Sequence, residues 1–556
     1  MSAQRILLIG ATGVFGRHLA QHLAQIGGIK LIVASRDIAK AKALTAELTA
    51  RQCRAEVTPV ALDTSRDIEG QLAELKAWLI IDASGPFQGA SYSTARAAII
   101  AGSHWIDLAD ARDYILGFAQ ALDGLARANG VCALTGASST PALSSAVVES
   151  LTAGWQRVDC IDIAICPGGR GQVGPSVIRA ILSYVGQPIA IFDEGRALTA
   201  TGWGKPVHRH IDGLGDRYLS RVETADDELL QRRFNVTTRI DFRAGLESWA
   251  EHFGLAAISF LRARAWLANP ARLTPWLVRA RRITALAASD TGAMTVAVSG
   301  LDEAGKCAEG RWSLLAREGD GPKVPILPAL ALTRQLLACP AVPGARPASG
   351  EIKLSAIEAE MAKLAISTAQ SKKAKATTPL FERVLGSTSF NALAPALKTF
   401  HSDNAMPVWH GRAAITSPDN LIARTVRRII GFPVSSPDAA VVVRVERQPD
   451  SEIWNRNIAD HAFRSKLSFN PGPSITEQFG LFRFDLGISA QAGELLMPVT
   501  RWRLGIVPLP RLLAPISQTR EYEDDAGKFH FDVRISMPFA GLITHYQGWL
   551  VPGPEK

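Results

Sequence analysis

The chain has 556 residues, 47% of them hydrophobic and 20% charged, and carries a net charge of +9. This is an ordinary globular composition, long enough for about three or four domains. Six scattered cysteines (Cys53, Cys132, Cys160, Cys166, Cys307, Cys339) form no Cys-X-X-Cys pair and no His/Cys cluster, so reduced thiols and no metal site are expected. The arginines are dispersed, without an aromatic-interleaved basic stripe, so nucleic acid is not an expected partner. No apolar run reaches the roughly 18 residues of a spanning helix. The first strand begins within a few residues of Met1, leaving no room for a targeting peptide, and a cytoplasmic location is expected.

The chain opens on an apolar strand, Ile6 to Ile9, followed by Gly10, Thr12, Gly13, Val14, Phe15 and Gly16, and then a helix from Val14 to about Ile26. In a dinucleotide-binding turn the first glycine makes the bend and the second lets a pyrophosphate approach the backbone. The third lets the helix pack on the strand, and the helix N-terminus faces the phosphates. A second strand, Lys30 to Ala34, ends in Ser35 and Arg36, about where an NAD site places an acid for the ribose 2′-hydroxyl. A hydroxyl and a guanidinium there suit a 2′-phosphate, so NADP is expected over NAD, although Asp37 follows directly. A third strand, Glu56 to Leu62, ends in Asp63 near the adenine side. A fourth, Leu79 to Asp82, runs into Ser84, Gly85, Pro86 and Phe87. Further strand–helix alternation through Val131 to Leu134 is the rhythm of a doubly wound parallel sheet.

The glycine turn, the Ser84 to Phe87 segment and the run Ala101 to Asp110 together resemble the NADP-binding domain of the saccharopine dehydrogenase-like oxidoreductases over about residues 4–140. The resemblance implies that Ser84, Gly85, Pro86 and Phe87 pass beside the nicotinamide ribose, and that Asp107 and Asp110 lie at the rim of the active-site cleft. Asp82-Ala83-Ser84 departs from the family's more usual Asn-Ala-Ala.

Catalytic groups are harder to place. The Tyr-X-X-X-Lys pair of short-chain dehydrogenases is absent: Tyr92, Tyr114 and Tyr184 are followed at that spacing by Arg96, Phe118 and Pro188. Acid–base candidates are Asp107, Asp110 and Tyr114, with His104, Ser138 and Ser139 near the same edge and His208 and His210 reaching in from beyond. Each also reads as a capping or core polar residue.

Residues 141–340 read as an α+β substrate domain, with strands at Val158 to Cys166, Asn235 to Phe242 and Met294 to Ser299. A helix at 325–337 is expected to pack back on the first domain. The stretch 260–282 interleaves Arg262, Arg264, Arg272, Arg279, Arg281 and Arg282 with Trp266 and Trp276. It reads either as a surface helix whose tryptophans pack on the domain or as a peripheral membrane contact. The large apolar residues of 249–277 point to an apolar substrate.

Residues 341–377, rich in proline, glycine and then lysine, read as a linker. Beyond it, strands at 440–447, 467–470, 481–488, 494–504 and 529–536 alternate in the manner of an antiparallel β-rich domain. Phe381, Trp409, His410, Gly411, Trp454, Phe463, the Glu477 to Gly480 segment, Val507 to Pro515 and His545 to Leu550 carry a resemblance to the DUF4166 domain over about 378–552, a family that implies no activity. His401, His410, Glu477 and His545 are too widely spaced to argue a metal site. The apolar interior, with a lip at Pro508, Pro510 and Pro515, could hold a hydrophobic ligand.

The expected architecture is therefore a Rossmann domain (1–140), an α+β substrate domain (141–340), a linker (341–377) and a β-rich domain (378–556). Two functions fit: an NADP(H)-dependent oxidoreductase acting on a small molecule, or a non-catalytic protein binding a dinucleotide and a lipid or partner. The sequence leaves the oligomeric state open.

Overall fold

The computed structural model describes residues 3–171, 174–374, 378–402, 404, 406–448, 451–459, 461–470, 472, 474–505, 507–538 and 540–553. The N-terminal unit alternates β1 (Gln4–Ile9), α1 (Val14–Leu23), β2 (Ile29–Ser35), α2 (Ile38–Ala50), β3 (Glu56–Ala61), α3 (Ile68–Leu75), β4 (Leu79–Asp82), α4 (Ser93–Ile100), β5 (His104–Asp107), α5 (Arg112–Ala128) and β6 (Cys132–Thr135). The strands pair in parallel in the spatial order β6-β5-β4-β1-β2-β3, so the direction of winding reverses between β1 and β4. Ligands of such sheets bind outside the carboxyl ends of the strands at that reversal. Runs such as Ile6, Leu7 and Leu8 are fully buried because helices cover both faces.

A seventh parallel strand, Gly344–Pro347, joins the β6 edge of this sheet. This corrects the linker expected at 341–377. Proline-rich sequence suits an edge strand, which needs few ladder donors. The helix that follows, Leu354–Met361, buries Ile357 and Met361 in the same core as Ile6 and Leu8. The strand Ile366–Ala374 then completes the sheet of the second unit. The lysines that suggested a solvated tether, Lys372 and Lys373, sit on this strand and are exposed.

That second sheet is mixed. Its centre is Arg157–Cys166, flanked by the parallel strand Arg239–Gly245 and the antiparallel strand Gly292–Leu301. The first two units share one hydrophobic core, running from Leu19 through Val147 and Ile161 to Trp312. The apolar helix Leu327–Ala338 is part of it, with Leu327, Ala329 and Leu330 fully buried, so it does pack back on the N-terminal unit.

The C-terminal unit has a core of its own. Thirteen antiparallel strands form one sheet from Ser489–Gln491 at one edge to Val507–Pro508 at the other. The five stretches anticipated as strands fall on six of these, 494–504 being two strands, Glu494–Leu496 and Val499–Leu504. Val408–Thr416 was not anticipated, because Gly411 and Ala413 blunt an alternation that Trp409 and Ile415 would otherwise announce. Asp193 of the second unit pairs with Arg444 of the C-terminal sheet, and the Arg157 guanidinium donates to the Asn404 carbonyl at 3.1 Å. The C-terminal unit is thereby tied to the second one.

Candidate functional site

The glycine turn divides its labour as the sequence spacing predicts. Gly10 has φ +73°, and a Cβ there would lie 2.6 Å from the Ser84 Cα, so the two loops touch at the reversal of winding. A Cβ on Gly16 would lie 2.1 Å from the Gly10 carbonyl oxygen, which is how closely α1 packs on the turn. A Cβ on Gly13 would meet only that same oxygen, at 3.2 Å, and otherwise open space. Gly13 is also the N-cap of α1 without any side-chain cap, so the first N–H groups of the helix, at Val14, Phe15 and Gly16, have no intrahelical acceptor. The turn thus presents an open face and unpaired N–H groups at a helix N-terminus, an arrangement that suits an anion.

The end of β2 lies beside the turn. Thr12 and Ser35 approach at 3.3 Å between hydroxyls. Asp37 is occupied: its carboxylate caps α2 by accepting from the Ala39 N–H at 2.9 Å. Arg36 is exposed. Asp63 accepts from the Ser65 hydroxyl (2.7 Å) and N–H (3.1 Å), which hold its carboxyl below the usual range, with Arg66 and Arg36 adding to the effect. After β4, Ser84 and Pro86 are exposed and Phe87 is buried. The Ser84 N–H donates to the buried Asp82 at 2.8 Å, fixing the loop.

The acid–base candidates separate sharply. Asp107 is fully buried and accepts four hydrogen bonds: from the Trp105 indole at 2.9 Å, the Ala109 N–H at 3.0 Å, and the Thr135 hydroxyl and Gly136 N–H at 2.8 Å each. Burial pushes its carboxyl up to about 6, against the pull of these donors. It clamps β5 to β6 instead of standing at the cleft rim. Tyr114 is likewise buried, its ring packed among Phe87, Tyr92 and Phe118, and burial raises its phenol further. His104 lies at the amino end of β5, where its Nδ1 accepts from the Cys132 N–H at 3.0 Å, on the edge of the sheet away from the turn. His208 and His210 are exposed and face Asp216 on the adjacent strand, His210 at 2.9 Å.

Asp110 does reach the cleft. It is exposed, accepts from the Gln88 amide at 3.1 Å, and has its carboxyl raised by the surrounding protein. Its field acts on Glu223 and Tyr184 of the second unit, raising both, while burial is the larger cause for each. Arg112 binds Glu228 across the same seam at 2.8 Å. Sequence reasoning missed Glu223 and Tyr184, because no spacing within the N-terminal unit points to residues that arrive from the second. The Ser138 and Ser139 segment is half-buried after β6.

Residues 5–95 match the family described as KR domain, and residues 393–550 match the one described as Domain of unknown function (DUF4166). The chain carries a DUF4166 domain. Saccharopine dehydrogenase (L-Glu forming) from Saccharomyces cerevisiae is similar in structure at 13% identity, over 67% of this chain and 100% of that one, with a TM-score of 0.49. A putative oxidoreductase from Magnetospirillum magnetotacticum MS-1 is similar at 13% identity over 64% of this chain and 96% of that one (TM-score 0.30). A short-chain dehydrogenase from Sphingobium yanoikuyae in complex with NADPH matches at 17% identity over 24% and 69% (TM-score 0.20). No curated protein matches the chain.

Within the DUF4166 domain the polar candidates do not converge. His401 bonds Glu521 at 2.6 Å, His410 the Gly553 carbonyl at 2.7 Å, and His545 Asp532 at 2.9 Å, while Glu477 accepts from Arg456 at 3.3 Å. Elsewhere Trp266 and Trp276 are 71% and 68% exposed, and Arg264 lies 3.8 Å over the Phe260 ring. Both tryptophans are therefore mostly exposed, Trp266 meeting Phe260 edge-on at 6.3 Å. No helix among the described residues is long and apolar enough to cross a membrane.

Proposed function

We propose that the chain is an NADP(H)-dependent oxidoreductase that transfers hydride to or from a small molecule held between its first two units. The observation that carries this reading is the glycine turn. Gly10 is wedged against Ser84 at the reversal of winding while the Gly13 face stays open, and Ser35 with Arg36 sits where a ribose phosphate would lie. Val14, Phe15 and Gly16 would present N–H groups to the pyrophosphate, and Ser84 to Pro86 would border the nicotinamide. The bound nicotinamide would supply the hydride. Asp110, whose carboxyl is raised by the surrounding protein and which accepts from the Gln88 amide at 3.1 Å, would deliver or accept the proton.

Fluorescence titration of the full-length protein with NADPH and NADH tests the cofactor assignment. NADPH should bind more tightly. Arg36→Ala should weaken NADPH by roughly 10- to 100-fold, the worth of one hydrogen bond to a charged group, and leave NADH nearly unchanged. Equal losses for both nucleotides would remove Arg36 from the phosphate site. For the proton, NADPH oxidation screened against carbonyl, imine and enoyl compounds should reveal turnover that Asp110→Asn lowers about 100-fold or more at unchanged NADPH affinity. Turnover retained in that variant would assign the proton to another group. A non-catalytic reading is favoured by one observation, the burial of Asp107 and Tyr114. NADPH binding with no turnover on any of the three compound classes would support it.

A further inference from the structure

The DUF4166 sheet encloses a cavity of about 320 Å³, within the range of small-molecule sites. Residues from strands near opposite edges of the sheet, Val499 and Trp502 on one side and Ser517 and Thr519 on the other, line the same space, so the sheet curls around it. Along each strand alternate residues point inward. On Phe529–Met537 these are Phe529, Phe531, Val533, Ile535 and Met537. Their exposure grades along the strand. Phe529 and Phe531 are buried, while Val533, Ile535 and Met537 are half-buried, which gives the cavity a closed floor and an open end.

The floor is aromatic. Phe400 stacks on Phe529 with ring centroids 4.3 Å apart and meets Trp454 edge-on at 5.4 Å. At the open end stands the helix Leu421–Ile430, which turns Val426, Ile429 and Ile430 to the cavity. Ile429 is nevertheless 64% exposed, so it stands in the doorway. Leu421 and Ile422 of the same helix are exposed, as are Val507, Leu512, Leu513 and Ile516 in the segments that flank the lining residues Trp502, Pro515 and Ser517. Arg424 and Arg428 stand exposed on the same helix.

The polar groups inside are already satisfied. The Arg456 guanidinium donates to the Ser465 hydroxyl (2.7 Å) and to Glu477 (3.3 Å) and lies 4.7 Å over the Trp454 ring, and Glu521 is held by His401. A second charge carried inside would find no partner and would pay the desolvation cost. An apolar chain would meet mainly hydrocarbon and aromatic walls, and a polar head could remain in water at the mouth.

We propose that the DUF4166 domain binds one long-chain lipid, its chain running from the Ile429 and Trp502 mouth to the Phe400, Trp454 and Phe529 floor. This stands independently of the oxidoreductase reading, since the cavity shares no residue with the dinucleotide site. The test is fluorescence titration of the full-length protein with cis-parinaric acid, a long-chain carboxylate that brightens in apolar surroundings. The wild type should show saturable binding of one probe per chain. Val533→Trp places an indole in the lumen between Thr519 and Tyr546, its cross-strand neighbours, and should weaken the probe at least tenfold. Ile429→Asp puts a negative charge at the exposed doorway without disturbing the core and should also weaken it about tenfold. Absence of saturable binding in the wild type would overturn the proposal. So would unchanged affinity in Ile429→Asp with the circular dichroism of the wild type, whether or not Val533→Trp folds.

Discussion

Gly13→Val should abolish dinucleotide binding while the protein stays folded. Gly13 has φ −75° and ψ 173°, an extended conformation open to any residue, and its Cβ would touch only one carbonyl oxygen at 3.2 Å. The new side chain therefore costs the fold little and fills the space a pyrophosphate must enter. We expect NADPH affinity to fall by about 100-fold or more, the scale on which blocked helix-terminus and backbone contacts to phosphate are lost together. The thermal midpoint should move by only a few degrees. Gly16→Ala is the contrasting control: its Cβ would sit 2.1 Å from backbone, so it should unfold or aggregate instead. NADPH affinity unchanged in a folded Gly13→Val protein would mean that the cofactor does not lie across this turn.

Asp107→Ala should produce the larger loss of stability. The change leaves the Trp105 indole, the Thr135 hydroxyl and the Ala109 and Gly136 N–H groups buried without an acceptor. At about 1–3 kcal/mol for each orphaned donor, a loss of about 4 kcal/mol or more is expected by urea unfolding. The pH dependence gives a second readout. Burial raises this carboxyl from its ordinary 3.8 to about 6 in the fold, so the folded state holds the proton more tightly than the unfolded one. Its contribution is full below pH 4 and declines as pH rises through 6. The stability gap between wild type and variant should therefore be wider at pH 5 than at pH 8. A variant as stable as the wild type would return Asp107 to the list of residues facing solvent.

How far the sequence could be read depends on how local each signal is. The first strand, turn and helix were legible because all three glycines act within one turn of chain, and Ser35 with Arg36 follows at the spacing the fold demands. The family resemblance placed Asp107 and Asp110 together at the cleft rim, yet only Asp110 faces it. Two residues three apart at a strand's end can diverge completely when one turns inward to meet the next strand. Glu223 and Tyr184 were invisible for the opposite reason, since their proximity to Asp110 is created only when the second unit docks. The stretch 341–377 was misjudged because proline, glycine and lysine mark exposed chain in general, and an edge strand is exposed chain that happens to be paired. In the C-terminal unit small inward residues such as Ala413 and Gly411 hid strands whose outward faces carry charge. The apolar interior was foreseeable, whereas its closed floor and open mouth are products of the curl.

The edge strand Gly344–Pro347 also bears on how the molecule is made. The first sheet is begun by residue 4 and lacks its last strand until residue 347 has been synthesised, by which time the second unit's strands from 157 to 316 already exist. A fragment ending at 140 would leave the edge of β6 bare and Leu19 and its neighbours without the later elements that cover them. The smallest piece of this protein fit for expression as a cofactor-binding unit accordingly runs to about residue 374, and a nascent chain has an open β-edge to guard for some two hundred residues of translation.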